Sequence, residues 1–395
     1  MALNDVTFNR GQGGLGRPLA GEDHISGLIG YVATGSLPGP NFTATDRIKV
    51  VYSLEGAEAL GIVQGTAALA AIWYHISEFF RMQPKGVLYV ALYDSAIVSM
   101  DVIEDVQNFS DGKIRQIAVF DPTVLPVLTI EDLSTNVGAL QTKCTLLESE
   151  HKPIQVLYTM NLTGVDLADL PDLRTFAKKN VSVVIGEDAG GIAATLTSTN
   201  VSVSCIGAVL GAVSAAKVNE NIGWVSKFDF AGGGQLTTPA FSTAVLVKDT
   251  ATSQLDSLNT YHYIFLRQHV GLAGTFANDS YTTDVDTSDY ATIENNRTID
   301  KAVRGVRTLL LPHLNSPLLV NADGTLTEDT VGFFTNEAGR ALEQMERNEE
   351  VSAFAVTIDP TQNVLSTSTL EINIKVIPVG VARQIQVNIG FTVKI

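Results

Sequence analysis

Residues 369–395 read TLEINIKVIPVGVARQIQVNIGFTVKI, and the period of their side chains decides how the end of the chain is built. Successive strand side chains point to opposite faces, so Leu370, Ile372, Ile374 and Val376 share one face of a strand. Val387, Ile389, Phe391, Val393 and Ile395 share a face of a second one, and Pro378, Val379 and Gly380 supply the turn between them. Terminal residues ordinarily fray, because ordering each costs roughly 1–2 kcal/mol of backbone entropy. An apolar alternation that reaches residue 395 therefore needs a sheet to join, and that sheet can belong to a neighbour.

Upstream of these strands lie two amphipathic helices. The first opens at Ile293-Glu294-Asn295-Asn296-Arg297 and places Ile299, Val303, Val306 and Leu310 on one side. Arg297, Lys301, Arg304 and Thr308 fall on the opposite side at spacings of four, three and four. A solvated helix face is the plain reading of such a stripe. In a chain of net charge −16 the stripe is also a candidate contact for an acidic partner surface.

Before this module, strands and helices alternate from Ile25 to about Val247, which argues α/β layering. Strands are expected at Ile25–Val32, Gly86–Tyr93, Ile117–Phe120, Ile154–Tyr158, Val181–Ile185 and near Ala244–Val247. Helices are expected at Thr66–Met82, Ile130–Ser149 and Asp169–Lys179. In the first of these, Leu69, Ile72, Trp73, Ile76 and Phe80 form an apolar stripe, and Pro84 and Gly86 stop it. Residues Tyr261–Ala273 bridge into the terminal module, and Asn278–Tyr290 reads as a loop. At the other end, Leu3, Val6 and Phe8 make a short alternating arm. Gly11, Gly13, Gly14 and Gly16 follow as a flexible hinge. The expected division is an arm and hinge at 1–20, an α/β domain at 21–265 and an α+β assembly domain at 266–395.

Composition narrows the function. A length of 395 residues suits two or three domains, and 45% hydrophobic with 17% charged residues leaves apolar surface for large permanent interfaces as well as cores. The net charge of −16 argues against nucleic acid or an anionic membrane as partner, since both are held by clustered Lys and Arg. Cys144 and Cys205 are too few for a disulfide scaffold or a zinc site. The start MALNDVTFNR carries no apolar leader, and no stretch approaches the 18 or so apolar residues that span a bilayer, so cytoplasmic synthesis is expected.

Catalytic motifs are sparse. Gly11, Gly13 and Gly16 match G-x-G-x-x-G, but no core strand precedes them and Arg17-Pro18 follows, which suits a linker and not a dinucleotide site. Asp279, Asp284, Asp286 and Asp289 hint at a calcium loop. Counted from Asp284, however, Asp289 and Asn295 stand where the glycine and glutamate belong, so a solvated loop is expected. The best enzyme clue is Glu187-Asp188 at a strand end before Gly190-Gly191, where open α/β sheets often bind ligands. It lacks partners: the six histidines are scattered, and no nucleophile elbow, Walker lysine or H-E-x-x-H occurs. No catalytic residue, metal or cofactor is expected.

One resemblance is specific. The strings IENNRTIDKAVRGVRTLLLPHLNSPL (293–318), GLAGTFANDSYTT (271–283), IGAVLGAVSAAKVNENIGWV (206–225) and SLEGAEALGI (53–62), with the closing strands, resemble the contractile tail sheath proteins of phage tails and related contractile injection systems. Both arms sit in one chain, unlike the type VI secretion sheath, where two proteins share the role.

The resemblance implies subunits stacked as hexameric rings in a helical sheath around an inner tube protein, with 21–265 as an outer α/β domain and 266–395 plus the N-terminal arm as an inner α+β domain, assembled in the bacterial cytoplasm with baseplate and tail terminator proteins. It also implies that the arms bearing Leu3, Val6, Phe8 and Val387–Ile395 add strands to neighbours. Arg297, Lys301, Arg304 and Thr308 would face the tube. Contraction would then use no nucleotide. A cytoplasmic enzyme using Glu187 and Asp188, or a static shell or tube protein, are the alternatives.

Overall fold

A computed structural model describes residues 21–96, 98–120, 130–159, 165–197, 203–241 and 245–392. An interior strand of its main sheet, β1 (Ile25–Val32), carries apolar side chains on both faces, as a strand covered on both sides must. Leu28 and Val32 enter one core and Ile29 and Tyr31 the other. The chain continues through β2 (Ile48–Val51), α1 (Leu54–Ala59), α2 (Ala70–Met82) and β3 (Val87–Asp94). Next come α3 (Val102–Phe109), β4 (Gln116–Phe120), α4 (Ile130–Ser149), β5 (Gln155–Thr159) and β6 (Val181–Val184). A short strand β7 (Gly186–Asp188) precedes α5 (Gly191–Thr197) and α6 (Ile206–Ala215), and pairs with β8 (Pro239–Phe241). Helix α7 (Thr252–Thr260) and β9 (Tyr263–Ile264) close this part.

Seven strands form one sheet in the order β2-β3-β1-β4-β5-β6-β9. Only β2 runs antiparallel to its neighbour. With helices over both faces, this is the α/β layering expected. Strand β1 and helix α4 fall where the alternation placed them. Helix α2 starts at Ala70, residues 66–69 forming turns instead. It is also buried beyond its expected stripe, at Tyr74, His75 and Phe79 as well, because α6 lies across it. Two glycines allow that approach: a Cβ on Gly207 would stand 2.6 Å from the His75 Cα, and one on Gly211 2.7 Å from the Phe79 carbonyl oxygen.

Two expectations fail here. The helix at Asp169–Lys179 is replaced by two 3-10 turns, Leu167–Asp169 and Leu173–Phe176. Pro171 forces Leu170 to extended backbone, and Asp172 accepts from the Arg174 amide and caps a new turn, which ends at Ala177 with a positive φ. The strand near Ala244–Val247 is not found either. Residues 242–244 lie outside the described residues, the Phe241 amide donates back to the Val245 carbonyl at 2.9 Å, and Val247–Asp249 is a 3-10 turn.

The terminal module begins with the small pair β10 (Leu266–Arg267) and β11 (Phe276–Ala277). After an irregular stretch come α8 (Ile293–Leu310), α9 (Glu328–Arg347), β12 (Val351–Thr357), the single turn α10 (Val364–Thr367) and β13 (Asn373–Pro378). Strands β12 and β13 pair antiparallel, with Phe354 opposite Val376 and Val356 opposite Ile374. Ile374 and Val376 pack on Ala302, Leu342 and Met345, while Leu370 and Ile372 pack on Leu326, Phe334 and Ile358. The expected apolar face of 370–376 is thus real. Of the second strand expected at 387–395, residues 393–395 lie outside the described residues, and residues 379–391 belong to none of the described strands.

Candidate functional site

Helix α8 carries the residues on which the assembly reading turns, and its faces differ from the helical-wheel expectation. Arg297 is 4% exposed, whereas Val303, from the supposedly apolar side, is 52% exposed. Val306 and Leu310 of the apolar side do pack on the terminal module, but the cationic side also turns inward because acids and carbonyls meet it there. Arg297 donates to the main-chain oxygens of Ala216, Lys217 and Asp23, at 3.3, 3.4 and 3.1 Å. Lys301 Nζ reaches Asp23 Oδ2 at 2.7 Å and Glu350 Oε1 at 2.5 Å, and Arg304 reaches Asp23 Oδ1 at 3.2 Å. Thr308 is exposed, its hydroxyl donating to the Arg304 carbonyl.

Asp23, which sits between the N-terminal residues and β1, therefore serves three cations at once. Burial works to raise its pKa, but Lys301, Arg297 and Arg304 outweigh it and hold the carboxyl below the usual range. Burial lowers the Arg297 pKa against the opposing pull of Asp23, and brings Arg304 down to about 10 with help from Arg115.

The start of α8 holds the opposite polarity. Glu294 and Asp279 are both buried, and Arg383 bridges them: Nε lies 2.9 Å from Asp279 Oδ2 and one terminal nitrogen 2.7 Å from Glu294 Oε1. Asn221 Nδ2 donates to Asp279 at 2.5 Å and to Glu294 at 3.3 Å, Ser280 donates to Glu294, and the Tyr281 ring lies under the guanidinium at 5.9 Å. Burial pushes Glu294 up, Ser280 and Arg383 oppose that, and Asp279 reinforces it.

These contacts correct the picture of a solvated loop at 278–290. Besides Asp279, the side chains of Ser280, Thr282 and Thr283 are buried. Asp286 bonds His262 Nε2 at 2.8 Å and pairs with Arg174. His262 stacks flat on Tyr281, and His269 instead sits 3.1 Å from Arg267. Among the described residues no group of His, Cys, Asp and Glu is arranged to hold a metal.

Sequence reasoning missed Asp23, Glu350 and Arg383. Only Arg383 left a signal, as the single charged residue between Lys375 and Lys394. Past it, Ile385, Val387, Ile389 and Phe391 are exposed apolar side chains, while Val393 and Ile395 lie outside the described residues. So do the arm residues Leu3, Val6 and Phe8 and the hinge glycines Gly11, Gly13, Gly14 and Gly16.

The enzyme candidate has a structural occupation. Asp188 is fully buried and accepts from the amides of Gly190, Leu236 and Thr238, at 3.0, 2.6 and 3.2 Å, which ties β7 to the loop before β8. Glu187 is buried beside it. Both cysteines are buried and free, and burial pushes both thiols up, away from the reactive thiolate. A cavity of about 150 Å³ lies between α4 and α8, lined in part by Glu148, Lys179, Asp300 and Arg307. Burial pushes Asp300 up to about 6, against the pull of Arg304 and its bond from Gln155.

Comparison with known families gives a match in two parts. The family described as DUF2586 matches over residues 3–281 with its N-terminal domain and 289–395 with its C-terminal domain. The chain belongs to the DUF2586 family. No curated protein sequence matches it. Among solved structures, this DUF2586 chain is 15% identical to the helical sheath of the anti-feeding prophage in its contracted state, covering 100% of both chains with a TM-score of 0.64. A chain of the baseplate of the same particle is 14% identical, with 99% of each chain covered and a TM-score of 0.63. The contracted sheath complex of PVC, an extracellular contractile injection system, is 11% identical over 98% of this chain and 99% of that one, with a TM-score of 0.59. The DUF2586 fold is thus the fold of contractile sheath proteins.

Proposed function

We propose that this chain is the sheath subunit of a contractile injection particle. Copies stack as six-membered rings around an inner tube, hold it extended, and on firing shorten and widen to drive the tube through a target envelope. One observation carries the reading: over its whole length the chain shares the fold of a contracted-sheath protein. The exposed apolar side chains Ile385, Val387, Ile389 and Phe391 near its end support it.

An unpaired strand-forming segment satisfies its backbone by adding to an open sheet edge of another copy. Burial of Val387, Ile389, Phe391, Val393 and Ile395 there contributes on the order of 1.5–3 kcal/mol each before ordering costs. Residues 21–265 form the outer domain. Residues 266–395, with the arm at 1–20, form the inner one, placed so that α8 lies toward the tube. Arg297, Lys301 and Arg304 act there within the subunit, and Thr308 is the exposed member of the four. The hinge glycines let the N-terminal arm pivot without unpairing.

The role is structural and not enzymatic, which the commitment of Asp188 to three amides supports. Contraction draws on the difference between weak contacts in the extended state and larger ones between outer domains in the contracted state. Assembly takes place in the bacterial cytoplasm, with tube, baseplate and terminator proteins as partners. Negative-stain electron microscopy of the purified protein tests this: helical tubes of two diameters are expected. A discrete small oligomer, or one invariant lattice, would overturn it.

A further inference from the structure

Both ends of the described chain are fastened to α8, with opposite polarity. Near the N-terminal end the helix supplies cations to an acid, since Arg297, Lys301 and Arg304 converge on Asp23. Near the C-terminal end the arrangement is reversed, and Glu294 of the helix, with Asp279 just before it, receives Arg383 from the tail. Glu294 and Lys301 are seven residues apart, so the two fastenings lie within about 10 Å along one rigid helix.

Arg383 holds the tail in a way its neighbours do not. A guanidinium presents donors in a fixed planar fork, and here the fork spans two carboxylates that are 6% and 2% exposed. Withdrawing it would leave two buried acids side by side with neutral donors such as Asn221, Ser280 and Tyr281 but no cation between them, a costly arrangement. By contrast, Ile385, Val387, Ile389 and Phe391 present their side chains to solvent. The tail is therefore divided at residue 383 into a held part and, over 384–391, a part whose apolar side chains face solvent.

We infer that Arg383 is the pivot of the C-terminal segment: residues 379–383 stay on their own subunit, residues from Gln384 onward are the exchangeable connector, and α8 is the common root of both chain ends. This rests on the sheath reading for what the connector joins. The fastening itself is a property of the single subunit. A neighbour that pulls on the connector pulls, through Arg383 and Glu294, on the same helix that grips Asp23, so displacement at one end of the chain passes to the other without crossing the α/β sheet.

Trypsin tests the pivot directly, because it cleaves after Arg383 only when that side chain leaves its socket. On the full-length unassembled chain, the Arg383–Gln384 bond should be cut slowly. In the Asp279→Asn, Glu294→Gln double variant it should be cut about tenfold faster at an unchanged melting temperature, the opened state now being more populated. Equal rates would overturn the proposal. Should the double variant melt early, Arg383→Gln with a fluorophore on Asn388→Cys gives a second reading, the native cysteines being buried. Its anisotropy should fall below that of the same probe in a chain retaining Arg383, with Arg383→Lys in between; an unchanged anisotropy overturns the pivot. These measurements stand whether or not tubes form, and failure to form tubes would count against the sheath reading alone.

Discussion

Asp23 Oδ2 lies 2.7 Å from Lys301 Nζ across 278 residues of chain, and the same carboxylate meets Arg304 through its other oxygen. The contact joins the segment that feeds β1 to the helix that opens the terminal module. It also redefines the cationic stripe, whose charges are neutralised inside the subunit.

Replacing Asp23 with Asn should therefore cost stability. Three cations would lose a shared counter-charge in a largely buried setting, a loss of about 2–4 kcal/mol, partly offset for Lys301 by Glu350. Urea denaturation reads this as a lower midpoint. The triple change of Arg297, Lys301 and Arg304 to Glu should go further and prevent folding, because it sets three new acids against Asp23 and Glu350. Soluble triple variant with a wild-type midpoint would return the stripe to the surface.

The crossing of α2 and α6 makes a second prediction. A side chain at Gly207 meets backbone and not a movable side-chain tip, so relief requires the helices to separate. Gly207→Val should lower stability by about 3 kcal/mol or more. Gly138 of α4, where no atom lies within 4 Å of an added Cβ, serves as control: Gly138→Ala should be neutral or stabilising.

Two groups, one buried and one partly buried, give pH slopes of opposite sign. Burial pushes His75 down to about 3, and neither ring nitrogen has a hydrogen-bond partner. The unfolded chain then takes up a proton that the native state refuses. Stability is lost as pH falls below 6.5, by about 2 kcal/mol at pH 5. Asp300, raised to about 6, does the reverse: the native state keeps a proton that the unfolded chain releases above 3.8, so stability is gained as pH falls through 6. Relative to wild type, His75→Phe should gain stability between pH 7.5 and 5. Asp300→Asn should be more stable than wild type at pH 7.5 by on the order of 1–2 kcal/mol, its partial exposure limiting the effect, and about equal near pH 4. Chemical denaturation at those pH values decides both.

Deleting residues 387–395 should leave the thermal melt of the subunit nearly unchanged, since Val387, Ile389 and Phe391 are exposed in it. Tube formation should vanish. Tubes from the truncated chain would sink the donated-strand idea, and an insoluble product would place the segment in its own core.

What could be read from the sequence divides along a physical line. Ile25–Val32 and Ile130–Ser149 were legible because period and neighbours within a few residues determine them. The run Asp169–Lys179 was not, since Pro171 and the Asp172 cap outvote its helical spacing. For α8, the wheel gives the angle between Arg297 and Val303 but not which of them meets protein. Asp23 and Glu350, which decide it, are remote in sequence. The tail's apolar alternation was legible because it is local, whereas its fastening at Arg383 depends on Asp279 and Glu294, about a hundred residues earlier.

The span between Asp23 and its cations also sets an order of events during synthesis. At roughly 5–20 residues per second, a ribosome that has released Asp23 needs tens of seconds more to make Lys301, and longer for Glu350 and Arg383. The central strands can collapse in that interval, but neither chain end can be seated until the last quarter has emerged. A nascent subunit therefore closes the Asp23 and Arg383 contacts only late in synthesis, and any assembly that depends on them would have to follow release of the chain.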